Sequence, residues 1–269
     1  MVAQIRKTRV DNLIWLGIGG LVSGLLAGLL GIGGGTVLVP LMVALNIGYN
    51  QAVATSSLAI VMTACSGTVQ NWRMGLLDWR RVIFLGLPAI ATAPLGPFIV
   101  QALPTYIKEA AFGLLLILTI FLVTLRKRLI ARQGAENSPT APKVINPVVA
   151  RLGTGAAAGL LAGVFGVGGG VIMVPLQMLL LQEPIKLAIQ TSLGVIVITS
   201  IAAAGSHALQ GNVLWVSGLI LGLGGLIGAQ ISTRYLPKLP DPVVNLLFRS
   251  LLAILALYFF LRATGSFPA

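Results

Sequence analysis

GLLAGLLGIGGGTVLVPL, residues Gly24–Leu41, returns as GLLAGVFGVGGGVIMVPL at Gly159–Leu176. The offset is 159 − 24 = 135 residues, and the two rows carry the same letter at twelve of eighteen positions. A repeat of this kind organises the whole reading of a chain. The match continues more weakly: Thr55, Ser56, Ser57 and Leu58 fall on Gln190, Thr191, Ser192 and Leu193. After one inserted residue, Gly75 and Trp79 fall on Gly211 and Trp215. The chain therefore reads as two copies of one unit.

Composition says where those copies reside. Of the 269 residues 57% are hydrophobic and 9% charged, with a mean hydropathy of +0.97. Soluble domains carry about 25% charged residues, so a water-facing surface cannot be assembled from this chain. Lys and Arg number 18 against 6 Asp and Glu, a net charge of +12. The basic residues cluster at the ends of apolar runs, as in Arg80–Arg81 and Arg126–Arg128. That is the placement of membrane anchors rather than of a nucleic-acid surface. The partner implied is a lipid bilayer, with no nucleic acid, and the place a cell membrane (the inner one in a bacterium). The single cysteine, Cys65, makes neither an intrachain disulfide nor a cysteine metal cluster. The Leu13–Leu30 stretch has no clear cleavage site and reads as a first span rather than a leader.

Apolar segments fall near 13–30, 36–47, 51–70, 82–101 and 107–125, then near 148–165, 170–182, 186–209, 213–233 and 242–261. Crossing about 30 Å of hydrocarbon takes about 20 helical residues. The second segment of each half is too short, and reads as a broken or re-entrant helix. The expected fold is an all-α polytopic membrane protein of two repeats, each with about four full spans plus one short helix after a GxGGG motif. The expected divisions are a cytoplasmic N-terminus at 1–12, a first repeat at 13–125, a polar linker at 126–147, a second repeat at 148–262 and a tail at 263–269. Four spans per half place Arg73, Arg80, Arg81 and the linker inside with the N-terminus, but leave Arg234 and Lys238 outside. Charge and span count conflict there.

Gly31-Ile-Gly33-Gly34-Gly35 is followed by Pro40, and its copy Gly166-Val-Gly168-Gly169-Gly170 by Pro175. Successive glycines release the backbone from helix, and non-helical backbone at membrane depth is tolerated only when buried in protein or lining a cavity. A short helix starting after each triplet, near Thr36 and Val171, presents free N–H groups and a positive dipole end, which favour an anion. Paired Gly/Pro-interrupted segments in two halves are the transporter pattern for a binding site. Both triplets are expected to face one central cavity. Alanine at Gly34 or Gly169 is then expected to abolish transport while sparing the fold, with Gly17 and Gly222 as neutral controls. Close helix packing is the competing use of glycine.

The doubled GxGGGxxxVPL motif, each copy followed by a Ser/Thr-containing helix and a Gly…Trp turn, resembles the TauE/SafE (TSUP) family over about residues 13–261. The resemblance implies a membrane carrier linked to export of sulfite, sulfonates and related sulfur-containing or organic anions.

Polar side chains inside the spans are functional candidates in a bilayer. Ser56, Ser57, Gln70 and Asn71 stand on the third segment of the first half; Thr191, Ser192 and His207 stand on that of the second. With Gly33, Gly34, Gly35, Thr36, Gly168, Gly169 and Gly170 they form the expected substrate-binding set, neutral donors suited to a small anionic substrate. Hydroxyls that bond their own helix are the bland alternative. No Asp or Glu falls well inside a span, which argues against a cation carrier. One His, one Cys and no interior carboxylate make neither a metal cluster nor a convincing catalytic pair, so no cofactor and no enzyme activity are expected. The runner-up reading is a non-transporting membrane scaffold or partner subunit.

Overall fold

The computed structural model describes residues 2–135 and 146–263, and among them every regular element is helical. The first half comprises α1 (Val2–Leu30), α2 (Gly35–Ala44), α3 (Tyr49–Arg73), α4 (Trp79–Thr92), α5 (Gly96–Ala102) and α6 (Thr105–Ala135). The second comprises α7 (Pro147–Phe165), α8 (Gly170–Leu180), α9 (Ile185–Leu209), α10 (Trp215–Tyr235) and α11 (Asp241–Ala263). A turn of 3-10 helix at Ala93–Leu95, carrying Pro94, joins α4 to α5 as one crossing unit. Seven described helices are long and apolar enough to cross a membrane, and Ile14–Leu30 is a further apolar stretch beside the short α2 and α8. The long–short–long–long–long order is that expected from the sequence. Helix α6 runs on to Ala135, ten residues into the expected linker; positions 136–145 and the tail beyond Ala263 lie outside the described residues.

Local signals set the helix ends. Asp78 caps α4 by accepting from the N–H groups of Arg80 and Arg81. Asn146 caps α7, with Pro147 at its first position. Both α3 and α9 stop at a glycine in the left-handed region, Gly75 (φ 70°) and Gly211 (φ 70°). Behind each glycine the chain bonds back into the helix, Leu76 N–H to Asn71 O and Asn212 N–H to His207 O.

The direction of each helix follows from what it touches. A Cβ on Gly20 or Gly24 would collide with the carbonyl of Leu221 or Gly225, and one on Gly28 would run into Ser232, so α1 lies parallel to α10. The matching series in the other half, Gly155, Gly159 and Gly163 against Leu85, Ala89 and Ala93, makes α7 parallel to α4. Both are small-residue seams that let two backbones meet. Next, Gly218 and Gly222 meet Leu58 and Met62 while Ser66 Oγ donates to Leu226 O, so α3 is also parallel to α10. On the other side Val82 meets Gly194 and Gly86 meets Ile198, so α4 is parallel to α9. Helices α3 and α9 cross antiparallel at the centre, where 72% of the spanning stretch of each is buried, against 33–44% for the other spans.

One consequence overturns the span arithmetic. Helices α1 and α3 run the same way, so α2 must return the chain to the side from which α1 entered. The pair α1–α2 is a re-entrant hairpin from one face, and α7–α8 is one from the other. Three through-crossings remain per half, an odd number, so the two halves are inverted relative to one another.

This arrangement resolves the charge conflict. Arg73, Arg80, Arg81, Arg151, Lys186, Arg234 and Lys238 all fall at one end of the bundle. Ion pairs stitch that end together, Arg81 to Glu183 (2.9 Å) and Lys186 to Asp241 (3.2 Å). Glu183 lies in the α8–α9 connection; burial pushes its carboxyl above the usual carboxylate range, with Arg81 and Arg151 pulling the other way. The start of α1 is at the opposite end, so it cannot share a side with Arg73 and the linker as the span count required. Trp72, Trp79 and Tyr235, each more than half exposed, ring the basic end, and Trp15, Tyr106 and Trp215 ring the other. From Trp215 to Tyr235 is about 30 Å at 1.5 Å per residue, the thickness of a hydrocarbon core. Two interfacial aromatic belts sit where a bilayer places them.

Positive-inside bias assigns the basic end to the cytoplasm. Single cysteines introduced at Leu76 and Leu239, in a Cys65→Ser background, should be protected from an impermeant reagent in intact cells, and one at Gln210 should be labelled. Equal accessibility of positions 76 and 210, with 239 different, would restore the four-span topology.

Candidate functional site at the paired glycine turns

Each glycine turn is a helix break held in backbone conformations that favour glycine. Gly31, Gly33 and Gly34 have φ of 65°, 79° and 88°; Gly166, Gly168 and Gly169 have 64°, 75° and 80°. The left-handed Gly34 and Gly169 open α2 and α8 with no side-chain cap on either. The first N–H groups of both short helices are thus free of intrahelical partners. The turns meet each other at the centre: a Cβ on Gly35 would strike Gly166 O, and one on Gly170 would strike Gly31 O. Ile60 and Ile196 close over Gly33 and Gly168. Two positive helix ends therefore converge head to head in an apolar interior. Among the described residues no cavity opens onto the turns, where a central one is expected. All ten residues from Gly31 to Gly35 and Gly166 to Gly170 are buried, and three cavities elsewhere on α3, α9 and α10 are lined by none of them.

Hydroxyls from both halves brace each turn. Ser56 Oγ donates to Gly166 O (2.7 Å), and Ser192 Oγ, which donates to Ala188 O of its own helix (2.8 Å), also lies 3.3 Å from Gly31 O. Ser23 Oγ donates to Gly34 O (2.8 Å) and Thr199 Oγ1 to Gly168 O (3.0 Å). These bonds correct the register of the repeat. Ser192 corresponds to Ser56 (192 − 56 = 136), not to Ser57, because the extra residue lies earlier, in α8, which has 11 residues against 10 in α2. Ser56 and Ser57 both reach Val53 O of their own helix (2.9 Å), and it is Ser56 that also reaches the other half. Thr191 then matches Thr55, whose Oγ1 accepts from Leu214 N–H (3.0 Å).

The centre thus gathers Gly33, Gly34, Gly35, Gly168, Gly169, Gly170, Ser56 and Ser192. Thr36 and Thr191 are buried close by in sequence, each with a hydroxyl that has no hydrogen-bond partner. Asn71 and His207 are not brought to the centre. Each stands eleven residues beyond Ile60 or Ile196, about 16 Å along its helix, and the two lie toward opposite ends. Gln70 leaves with Asn71 and bonds Gln230 of α10 (2.6 Å). His207 Nε2 lies 3.2 Å from Gly163 O. Ser23, Thr199 and Gln230 touch these groups but were outside the expected set. Ser23 stands seven residues before the end of α1, and Ala158 occupies the matching place in α7, so the repeat carried no signal for it. Among the described residues no group of three His, Cys, Asp or Glu stands close enough to hold a metal.

The profile of the family described as "Sulfite exporter TauE/SafE" matches residues 16–259, almost the whole chain. The chain belongs to the TauE/SafE family. It is 24% identical over 253 residues to YunE of Bacillus subtilis, covering 88% of this chain and 93% of that one. A Methanocaldococcus jannaschii relative is 23% identical over 90% of this chain and 93% of its own. One from Xylella fastidiosa (strain Temecula1) is 26% identical over 96% and 98%. All three are named "probable membrane transporter protein". This TauE/SafE member is accordingly a multi-pass membrane transporter.

The close packing of the turns changes what alanine should do in this TauE/SafE chain. A Cβ on Gly169 would collide with the backbone carbonyl of Ala158, and one on Gly34 with Ser23 Oγ. The left-handed conformation alone costs a non-glycine residue about 1 kcal/mol or more. Gly169→Ala should lower the melting temperature most, since backbone cannot swing aside. Gly34→Ala should follow, and Gly17→Ala, with its nearest neighbour 4.0 Å away, should stay within about 0.5 kcal/mol of the parent. Fluorescence-detected unfolding in detergent gives the order. Parent-like melting of Gly169→Ala would mean that the turn is looser than described. Loss of transport in these variants therefore no longer separates a binding role from a folding role.

Proposed function

We propose that this transporter exports small sulfur-containing or organic anions, sulfite and sulfonates among them, by a secondary mechanism. The observation that carries the reading is the convergence of the α2 and α8 N-termini on one buried point. Free N–H groups and two helix dipoles there favour negative charge without a fixed cation that would hold it too tightly. The described acidic side chains, Asp78, Glu109, Glu183 and Asp241, lie at helix ends or in connections, far from that point. The family description supplies the sulfur chemistry.

Inverted hairpins suit alternating access. The hairpin α1–α2 reaches the centre from one face and α7–α8 from the other, so withdrawing either exposes the same N–H groups to a different side. Close packing of the turns then corresponds to a closed centre. The Thr36 hydroxyl, at the second position of α2 and fully buried without a partner, is a side-chain donor for the anion.

The test is uptake by proteoliposomes of labelled sulfite and a small sulfonate, against chloride and sodium. Sulfite or sulfonate flux well above the others supports the reading; flux of none of them, with the protein correctly inserted, leaves the scaffold reading. Thr36→Val separates function from folding. It removes a buried hydroxyl without a partner, so stability should hold or rise by about 1 kcal/mol, while anion flux should fall several-fold. Unchanged flux would place the anion elsewhere.

A further inference from the structure

The outer face between α3 and α10 carries a groove that the transport pathway does not use. Its upper end, at the basic side, is polar. Arg73 closes the last turn of α3 and Arg234 the last turn of α10, on either side of Gln230. Gln230 Nε2 donates to Gln70 Oε1 (2.6 Å), and Ser66 Oγ donates to Gln230 Oε1 (3.0 Å). Below this ladder a cavity of about 440 Å³ is walled by Val61, Met62, Cys65, Val69 and Leu226. Val61 also lines the next cavity down, about 260 Å³, whose other walls are Ile201, Ala204, Gly205 and Ala208 of α9 and which reaches Leu58 and Trp215. From Arg73 to Leu58 the groove follows fifteen residues of α3, about 22 Å at 1.5 Å per residue.

Charge decides what such a groove is for. Every described carboxylate is taken by another cation: Asp78 and Glu183 by Arg81, Asp241 by Lys186, Glu109 by Arg262. Arg73 and Arg234 form no ion pair among the described residues. A small hydrophilic anion would need the two guanidinium groups but not 20 Å of apolar wall beneath them. Val69, Leu226 and Ile231 are exposed on this face, so the groove opens sideways toward lipid. The aromatic belt of Trp72 and Tyr235 sets the guanidinium groups at headgroup depth.

The geometry points to a binding site for an anionic phospholipid, with its phosphate between Arg73 and Arg234 and an acyl chain along Val61, Met62 and Leu226. Guanidinium forks match phosphate oxygens two at a time. Basic pockets between spans on the cytoplasmic side are where anionic headgroups are held. A half-bilayer is about 15 Å deep, so the groove is long enough for a full acyl chain. The inverted copy lacks these residues: positions 206 and 209 on α9, matching Gln70 and Arg73, are Ser206 and Leu209. The lipid site belongs to one leaflet only.

The test uses the full chain in neutral detergent, with unfolding temperature and native mass spectrometry as readouts and no transport assay. Phosphatidylglycerol should raise the unfolding temperature and remain bound in the gas phase, whereas phosphatidylcholine should do neither. Arg73→Gln with Arg234→Gln should abolish the increment, each guanidinium being worth about tenfold in affinity. Should that double variant prove unstable without lipid, Leu226→Trp keeps the question open to test. It fills the apolar groove and should weaken long-chain phosphatidylglycerol while leaving its lipid-free unfolding temperature near the parent's. Undiminished phosphatidylglycerol binding in either variant overturns the site. So does protection by inorganic phosphate or sulfite as strong as that by the lipid, which would make the arginine pair a mouth for soluble anions.

Discussion

A backbone carbonyl or N–H group inside hydrocarbon must find a partner within the protein, and two broken helices at mid-membrane raise that demand in its sharpest form. Each half meets it with hydroxyls from both halves. Ser56 of α3 holds the carbonyl of Gly166, and Ser192 of α9 holds that of Gly31. Ser23 and Ser192 hold the first turn, and Thr199 and Ser56 the second, so each turn is held from both halves and the halves interlock. The crossing of α3 and α9, the burial of both and the positions of α2 and α8 follow from that exchange.

The same demand explains why the hydroxyls are struts before they are ligands. Sequence reasoning ranked Ser56, Ser57 and Ser192 as donors awaiting an anion. The structure spends Ser56 and Ser192 on carbonyl oxygens, which an anion cannot replace. Donors without a partner remain at the helix N-termini, at Thr36 and at Thr191. Neutral N–H groups holding an anion among apolar side chains make a weak, reversible site, which is what a carrier requires and a storage protein does not.

Much of the fold was legible because its signals are local. The repeat, the lengths of α2 and α8, and the glycine turns each depend on a few neighbouring residues. Direction was not legible, because counting spans assumes that each long apolar helix crosses to the other side. Helix α1 is long enough to cross, yet α2 brings the chain back. Arg234 and Lys238 carried the warning: their misplacement was evidence about the span count rather than an exception to charge bias. The register slipped for a related reason. Identity at an offset of 135 holds through the Val-Pro-Leu sequence, but one residue added to α8 turns everything beyond it by about 100° about the helix axis. Ser57 and Ser56 are neighbours in the chain and face different partners. Distance along a helix was legible and went unused: Gln70 lies fourteen residues from Ser56, about 21 Å at 1.5 Å per residue, too far to share one small ligand.

The seam between α1 and α10 reaches beyond the finished structure to the order in which the protein is made. Gly24 rests against Gly225, so the α1–α2 hairpin is shaped for a helix synthesised 225 − 24 = 201 residues later. Until then its glycine face has no backbone to meet and its broken turn has no hydroxyl from α9. Contacts so distant along the chain form late and slowly. A nascent chain of this kind must keep α1 and α2 loosely held in lipid or by the insertion machinery, and only the synthesis of α9 and α10 lets that hairpin settle.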